Sequence, residues 1–203
     1  MLLSLRNLPL SPIQSGAALP GILEDADAKL SGALRMLLAQ LKLELDHLDL
    51  RIDQADALIK KTACENEACQ RLMAIPGIGP VTATAVIAAI GNGGAFRKGR
   101  EFAAWMGVVP REHSTGGKQK LLGISKRGNS YLRRLFVQGA RAVMQQRTKQ
   151  SSGLSRWLAQ LTSRSHRNVA GVALANKMAR MAWAVLAKNE PYRPPVLADV
   201  AAA

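Results

Sequence analysis

Between Leu41 and Ile59 the apolar residues Leu41, Leu45, Leu48, Ile52, Ala55 and Ile59 advance by 4, 3, 4, 3 and 4 positions. Only a helix gathers residues at that spacing into one stripe, because 3.6 residues complete each turn. Lys42, Glu44, Asp46, Asp49, Arg51 and Asp53 fill the faces between, as a solvated helix requires. Residues 22–64 therefore read as a coiled-coil helix, pairing with another copy or packing on its own domain. Fewer than three clean heptads is short for a zipper that stands alone.

Helical spacing continues downstream. "LMAIPGIGPVTATAVIAAIG", Leu72 to Gly91, has an apolar helix end, a Pro-Gly-Ile-Gly turn and a helix of small residues starting near Pro80, the pattern of a helix-hairpin-helix. Gly77 and Gly79 permit a tight turn, and backbone N–H groups at such a helix start can hold a DNA phosphate without reading sequence. A plain interhelical turn is the other reading. A short helix from Arg100 to about Met106 closes at Gly107, with Phe102, Trp105 and Met106 placed in the core. "SYLRRLFVQGARAVMQQ", "LSRWLAQLTSR" and "RNVAGVALANKMARMAWAVLAK" supply three more helices, with Trp157 and Trp183 as core residues. No strand pattern stands out, so the expected fold is mainly α: a coiled-coil helix, then a compact helical domain over 65–190. Residues 1–21 form an irregular leader, in which Arg6 and prolines 9, 12 and 20 spoil any signal-peptide helix, and the Pro- and Ala-rich residues 191–203 a disordered tail. No run reaches the length of a membrane span, which leads to the expectation of a cytoplasmic protein with no membrane partner.

Charge divides the chain where the heptads end. Residues 1–70 hold 7 Lys and Arg against 10 Asp and Glu, whereas residues 71–203 hold 21 against 4, a net of +17. A surface of that sign attracts a polyanion, and released counterions would supply most of the affinity for nucleic acid. The same scarcity of acids limits the chemistry. Beyond residue 70 only Glu101, Glu112, Glu190 and Asp199 are acidic, too few for a two-metal phosphodiester site, so no metal site is expected within this region. Cys64 and Cys69 lack metal-ligand spacing and read as reduced thiols. A nucleotide-triphosphate loop is excluded as well, because Lys118 is followed by Gln119 where Ser or Thr is required.

A hydroxyl or an imidazole is left to do any covalent work. In "PREHSTGGKQKLLGISKRGNSYLRR", Ser114 precedes two glycines and a run of cations: Lys118, Lys120, Lys126, Arg127, Arg133 and Arg134. Those cations could stabilise a pentacoordinate phosphoryl group. Serines in Gly-rich loops are structural far more often than catalytic, so residue chemistry alone leaves nucleophile and turn residue both open. His113 is a poor base for its neighbour, since adjacent side chains seldom point the same way, and Tyr131, expected to be partly buried, is the competing nucleophile.

The runs "IPGIGPVTATAVIAAIG", "KGREFAAWMGVVPREHSTGGKQKLLGISKRGNSYLRRLFVQGARAV" and "RNVAGVALANKMARMAWAVL" together resemble the C-terminal domain of insertion-sequence transposases of the IS one-ten and IS one-sixteen type, the bridge-RNA-guided recombinases. The resemblance covers about residues 65–190 and is most specific from Ala104 to Arg134. It implies DNA transposition by serine-mediated strand cleavage and exchange, with the serine of the family's Ser-x-Gly loop falling on Ser114. It also implies an N-terminal RuvC-like domain holding Mg²⁺ on an Asp-Glu-Asp-Asp set, with DNA and guide RNA as partners; the homo-oligomer is expected from the coiled-coil stripe. No counterpart of the RuvC-like domain is recognisable here, and the chain reads as truncated. The alternative is a non-catalytic helix-hairpin-helix module that binds DNA or RNA.

Overall fold

The structure, a computed structural model, describes residues 20–21, 23–24, 30–146 and 153–194. Most of the expected leader and the tail beyond residue 194 lie outside them. The chain divides into two compact units at Leu58 and Ile59.

The first unit contains most of α1, Gly32–Glu65. Ser31 Oγ accepts from Leu34 N–H at 3.3 Å and starts the helix. Lys42 with Asp46 adds an i,i+4 pair on the polar side. The heptad stripe runs along this helix as the spacing requires, and its members Leu41, Leu45, Leu48 and Ile52 are 40–57% exposed. Met36, Leu43 and Leu50, seven apart, are also exposed and sit on the helix face away from that stripe.

The second unit is built around α7, Arg167–Lys188, which packs against α5 (Ser130–Gln145), α4 (Gly99–Trp105), α2 (Glu67–Met73) and α6 (Gly153–Arg164). Helix α3, Pro80–Ile90, packs on α2 and α5. Each helix start has a local cause. Asn66 caps α2 by accepting from Cys69 N–H, Asn129 caps α5 by accepting from Leu132 N–H, and His166 caps α7. Pro80 takes the first position of α3, where its missing N–H costs nothing. Asn189 ends α7 in the left-handed region at φ 54°.

Small residues bring the helices close. The buried face of α7 includes Ala170, Gly171, Ala175, Ala179 and Ala182, with Leu174 and Met178 filling the gaps. By length and composition this helix could cross a bilayer, contrary to the expectation that no run would, yet half of that window is buried inside the domain. An apolar helix at the centre of a packed domain passes the same test. Phe96, Phe102, Trp105 and Phe136 form an aromatic cluster on one side, with ring centroids 5.5–6.3 Å apart. Trp105 was expected in the core but is 38% exposed, stacked on Phe102. Trp157 and Trp183 pack half-buried against the core. Tyr192, in the segment expected to be disordered, does so too.

The reading that no strand would form fails at one place. β1, Pro110–Glu112, and β2, Leu121–Ile124, pair antiparallel with a register irregularity between Pro110 and Glu112. Strands of three and four residues are too short for a period-two signal, and cations and glycines hide the turn between them.

Candidate nucleic-acid interface

Thr115-Gly116-Gly117-Lys118 forms the tip of the hairpin. Lys118 N–H donates to Thr115 O at 3.1 Å, and one step back His113 N–H donates to Lys120 O at 2.9 Å. Gly116 and Gly117 have φ of 58° and 75°. Two successive positive values make the two-residue turn whose twist suits a hairpin. A Cβ added at either glycine would meet nothing within 4 Å, so backbone angle, not crowding, requires glycine there.

This geometry answers what kind of residue Ser114 is. It precedes the turn, exposed, and the angles of the turn are made by the glycines. Its Oγ donates to Glu112 Oε1 at 2.5 Å. Residues two apart on an extended strand share a face, which brings the carboxylate and the hydroxyl together. The bond from Ser114, and a second from Gln119, hold the Glu112 carboxyl below the usual carboxylate range. Glu112 is therefore ionised at neutral pH and takes Ser114 as a charge-assisted partner. Sequence reasoning counted Glu112 among the scarce acids without assigning it a role; the missed signal was a Glu-x-Ser spacing where the chain leaves a strand that had not been recognised.

The cations that follow this pair in the sequence have no carboxylate partners. Among the described residues, Lys118, Lys120, Lys126, Arg127 and Arg134 are exposed and none is in an ion pair. The other acid nearby in sequence, Glu101, is engaged by Arg97 through its guanidinium at 3.1 Å and its backbone N–H at 2.8 Å. Lys126 adopts φ 55° and Gly128 φ 86°, turning the chain sharply into α5. That turn lies flush on the end of α4: Lys126 N–H donates to Gly107 O at 3.2 Å, and Ser125 N–H to Val109 O at 2.9 Å.

Arg133 stands apart from the other cations. It is partly buried, and its Nη1 donates to Met106 O at 3.1 Å and Arg127 O at 3.4 Å. The guanidinium braces the turn against the C-terminal carbonyls of α4.

The two glycines of the Pro-Gly-Ile-Gly turn also differ from each other. Gly77, at φ 86°, makes its close approach to protein: a Cβ there would lie 2.7 Å from Gly139 O and 2.8 Å from both Met178 Cε and Val143 Cγ2. Gly79 is exposed at the start of α3, with nothing within 4 Å and no side chain capping the helix. The open backbone N–H groups of this turn are thus at Gly79 and the first turn of α3.

Beneath the hairpin runs an apolar groove of about 670 Å³, lined by Val108, Pro110, Leu122 and Ile124 on one side and Val169 and Val172 of α7 on the other. The hairpin therefore rises from an apolar base to a polar, cationic tip. Among the described residues no three of His, Cys, Asp and Glu come together as a metal-binding group.

Residues 69–156 match the model of the Transposase IS116/IS110/IS902 family. That stretch contains the turn, the hairpin, the Ser114–Glu112 pair and α5. The chain is also similar to a probable family 20 transposase of Pseudomonas aeruginosa, 46% identical over 178 residues that cover 88% of this chain and 53% of the relative. The transposase for insertion sequence element IS1111A of Coxiella burnetii is 42% identical, covering 86% of this chain and 48% of the relative. For the transposase of element IS1328 of Yersinia enterocolitica the identity is 44%, over 77% of this chain and 47% of the relative. The chain thus spans about half the length of these curated relatives.

Proposed function

We propose that this chain is the C-terminal, DNA-binding portion of a transposase of that family, and that Ser114 is the nucleophile of its strand cleavage. The observation that carries the reading is the Ser114 hydroxyl, bonded to an ionised Glu112 at the exposed end of a hairpin whose Lys118 and Lys120 are in no ion pair.

In the proposed step Oγ attacks a DNA phosphorus. An Oγ–P bond forms, one P–O bond to a sugar oxygen breaks, and the departing oxygen takes a proton from water. Glu112 aligns Oγ and receives its proton; Lys118, Lys120, Arg127 and Arg134 offset the charge that builds on the phosphoryl oxygens. Gly79 and the first turn of α3, the hairpin part of the proposed helix-hairpin-helix, hold a second phosphate. Mg²⁺ demands several oxygen ligands. The described residues do not fit that ion, having no cluster of three suitable side chains, and the step is not routed through it. The ion and guide RNA belong to the proposal only through the RuvC-like half that the resemblance implies.

The test is a nicked suicide duplex incubated with the chain, alone and with a RuvC-like half supplied. A denaturation-resistant protein–DNA adduct is expected, and Ser114→Ala should reduce it on the order of 1000-fold or more. An adduct of equal yield in the variant would remove Ser114 as nucleophile. DNA binding with no adduct in either arm would favour a non-catalytic helix-hairpin-helix module, a reading supported by the uncapped start of α3.

The exposed stripe of α1 supports self-association through a coiled coil. Sedimentation at micromolar concentration should show an oligomer that Leu48→Lys with Ile52→Lys converts to monomer. A wild-type monomer under the same conditions would sink this part of the proposal.

A further inference from the structure

A second cationic surface lies away from the hairpin, on residues that neither the sequence reading nor the family resemblance singled out. The start of α4 and the C-terminal half of α7 enclose an open cleft of about 620 Å³, carrying Lys98 and Arg100 on one wall and Lys177, Arg180 and Lys188 on the other. Gly99 lets the two walls approach closely. A Cβ there would sit 3.1 Å from Arg180 Cα and Arg180 O and 3.2 Å from Trp183 Cε3, so a larger residue would push the first turn of α4 back from α7 by a few tenths of an ångström. The close approach sets Lys98 and Arg100 beside Arg180.

We propose that this cleft binds the phosphodiester backbone of duplex DNA without reading its sequence. None of the five cations is in an ion pair among the described residues. Arg97 occupies Glu101, the acid nearest the α4 wall; Glu190 lines the adjoining groove with Lys177, Lys188 and Arg193 and is in no ion pair with them. Lys177, partly buried, holds its ammonium 4.5 Å from the Trp157 ring centroid in a cation–π contact that fixes the side chain, so the exposed cations of the cleft are Lys98, Arg100, Arg180 and Lys188. From Lys177 to Lys188 the α7 row rises about 16 Å at 1.5 Å per residue. Along a duplex that length faces roughly five phosphates of one strand.

A duplex is favoured over single-stranded RNA because single strands are held largely by bases stacking on free aromatic faces. The aromatic side chain lining the cleft, Trp183, is half-buried, and its Nε1–H donates to Gly93 O at 3.2 Å and Phe96 O at 3.1 Å. It serves the fold, and the cleft offers charge without a stacking platform. Contacts of that kind position nucleic acid and carry no sequence information.

The groove under the hairpin uses α7 residues from Asn168 to Asn176 and the cleft those from Lys177 to Lys188, so the surfaces occupy successive lengths of one helix. They can be tested separately. Lys98→Ala, Arg100→Ala, Arg180→Ala and Lys188→Ala are combined in the full chain, with Arg100→Lys plus Arg180→Lys as the charge-preserving control. Binding to a 30-base-pair duplex of arbitrary sequence is followed by anisotropy across a salt series. The alanine variant should lower the slope of log K against log salt by about 3 to 4 units, equally for a scrambled duplex, while the lysine control keeps the wild-type slope. An unchanged slope in a variant whose circular dichroism matches wild type would overturn the proposal. A loss confined to a 30-nucleotide single-stranded RNA would reassign the cleft to RNA, and an equal loss on polyglutamate would reduce it to a general polyanion surface. A parallel variant lacking the hairpin cations separates this inference from the preceding one, since either surface can fail while the other holds.

Discussion

Gly128→Ala should lower the stability of the second unit by about 3 kcal/mol, combining the cost of a left-handed backbone with that of an overpacked contact. Gly128 has φ 86°, and a Cβ on it would lie 1.8 Å from the carbonyl oxygen of Trp105. The opposing chain cannot retreat easily, because Gly107 faces the same crossing and its own Cβ would meet Arg127 O at 2.0 Å. Backbone stands against backbone on both sides, with Arg133 clamping the junction. Urea denaturation should show a lower midpoint at unchanged slope. Gly116→Ala is the matched control: its φ is also positive, 58°, but nothing lies within 4 Å, so only the conformational part remains, about 1 kcal/mol. Equal losses in the two variants would mean that the close crossing between α4 and the turn does not exist in solution.

Removing the cations of the hairpin and of the turn after it should have the largest effect on DNA binding. With Lys118→Ala, Lys120→Ala, Lys126→Asn and Arg127→Ala together, four exposed charges disappear, and the slope of log affinity against log salt should fall by about 4 units. Asparagine is chosen at 126 because that residue sits at φ 55°, a conformation that asparagine tolerates better than alanine. Arg133 is left in place on purpose. Its guanidinium is held by two backbone carbonyls, so Arg133→Ala would confuse lost packing with lost phosphate contact. A salt slope unmoved by the fourfold variant would show that DNA approaches another face.

Much of this was legible in the sequence, and the failures share a cause. The α1 helix followed from the 4-3-4 stepping, and α5 from the amphipathic run that begins at Ser130, because helix periodicity is a local signal. The hairpin was missed because its strands are stabilised by pairing Pro110 with Ile124 and Glu112 with Leu121, outside any local window, and bury too little to alternate. Glu112 was missed with it, since its relation to Ser114 exists only once the strand does. Gly77 was read as a site for phosphate approach, whereas its immediate neighbour is Gly139 of α5, sixty-two residues on; a sequence shows that a glycine permits close approach but not to what. Tyr131, expected to be partly buried, is 49% exposed, because it falls on the outer side of α5 while Leu132 and Phe136 point inward.

Every residue from Pro110 to Gly123 is exposed, so the hairpin that carries Ser114 contributes almost nothing to the core. Folding of the helical domain and the shape of its chemical tip are therefore separable properties. Descendants of this chain can change the length, charge and reach of that tip while inheriting the core unaltered. An exposed loop on a packed scaffold tolerates such change, because its side chains answer to solvent and not to the core.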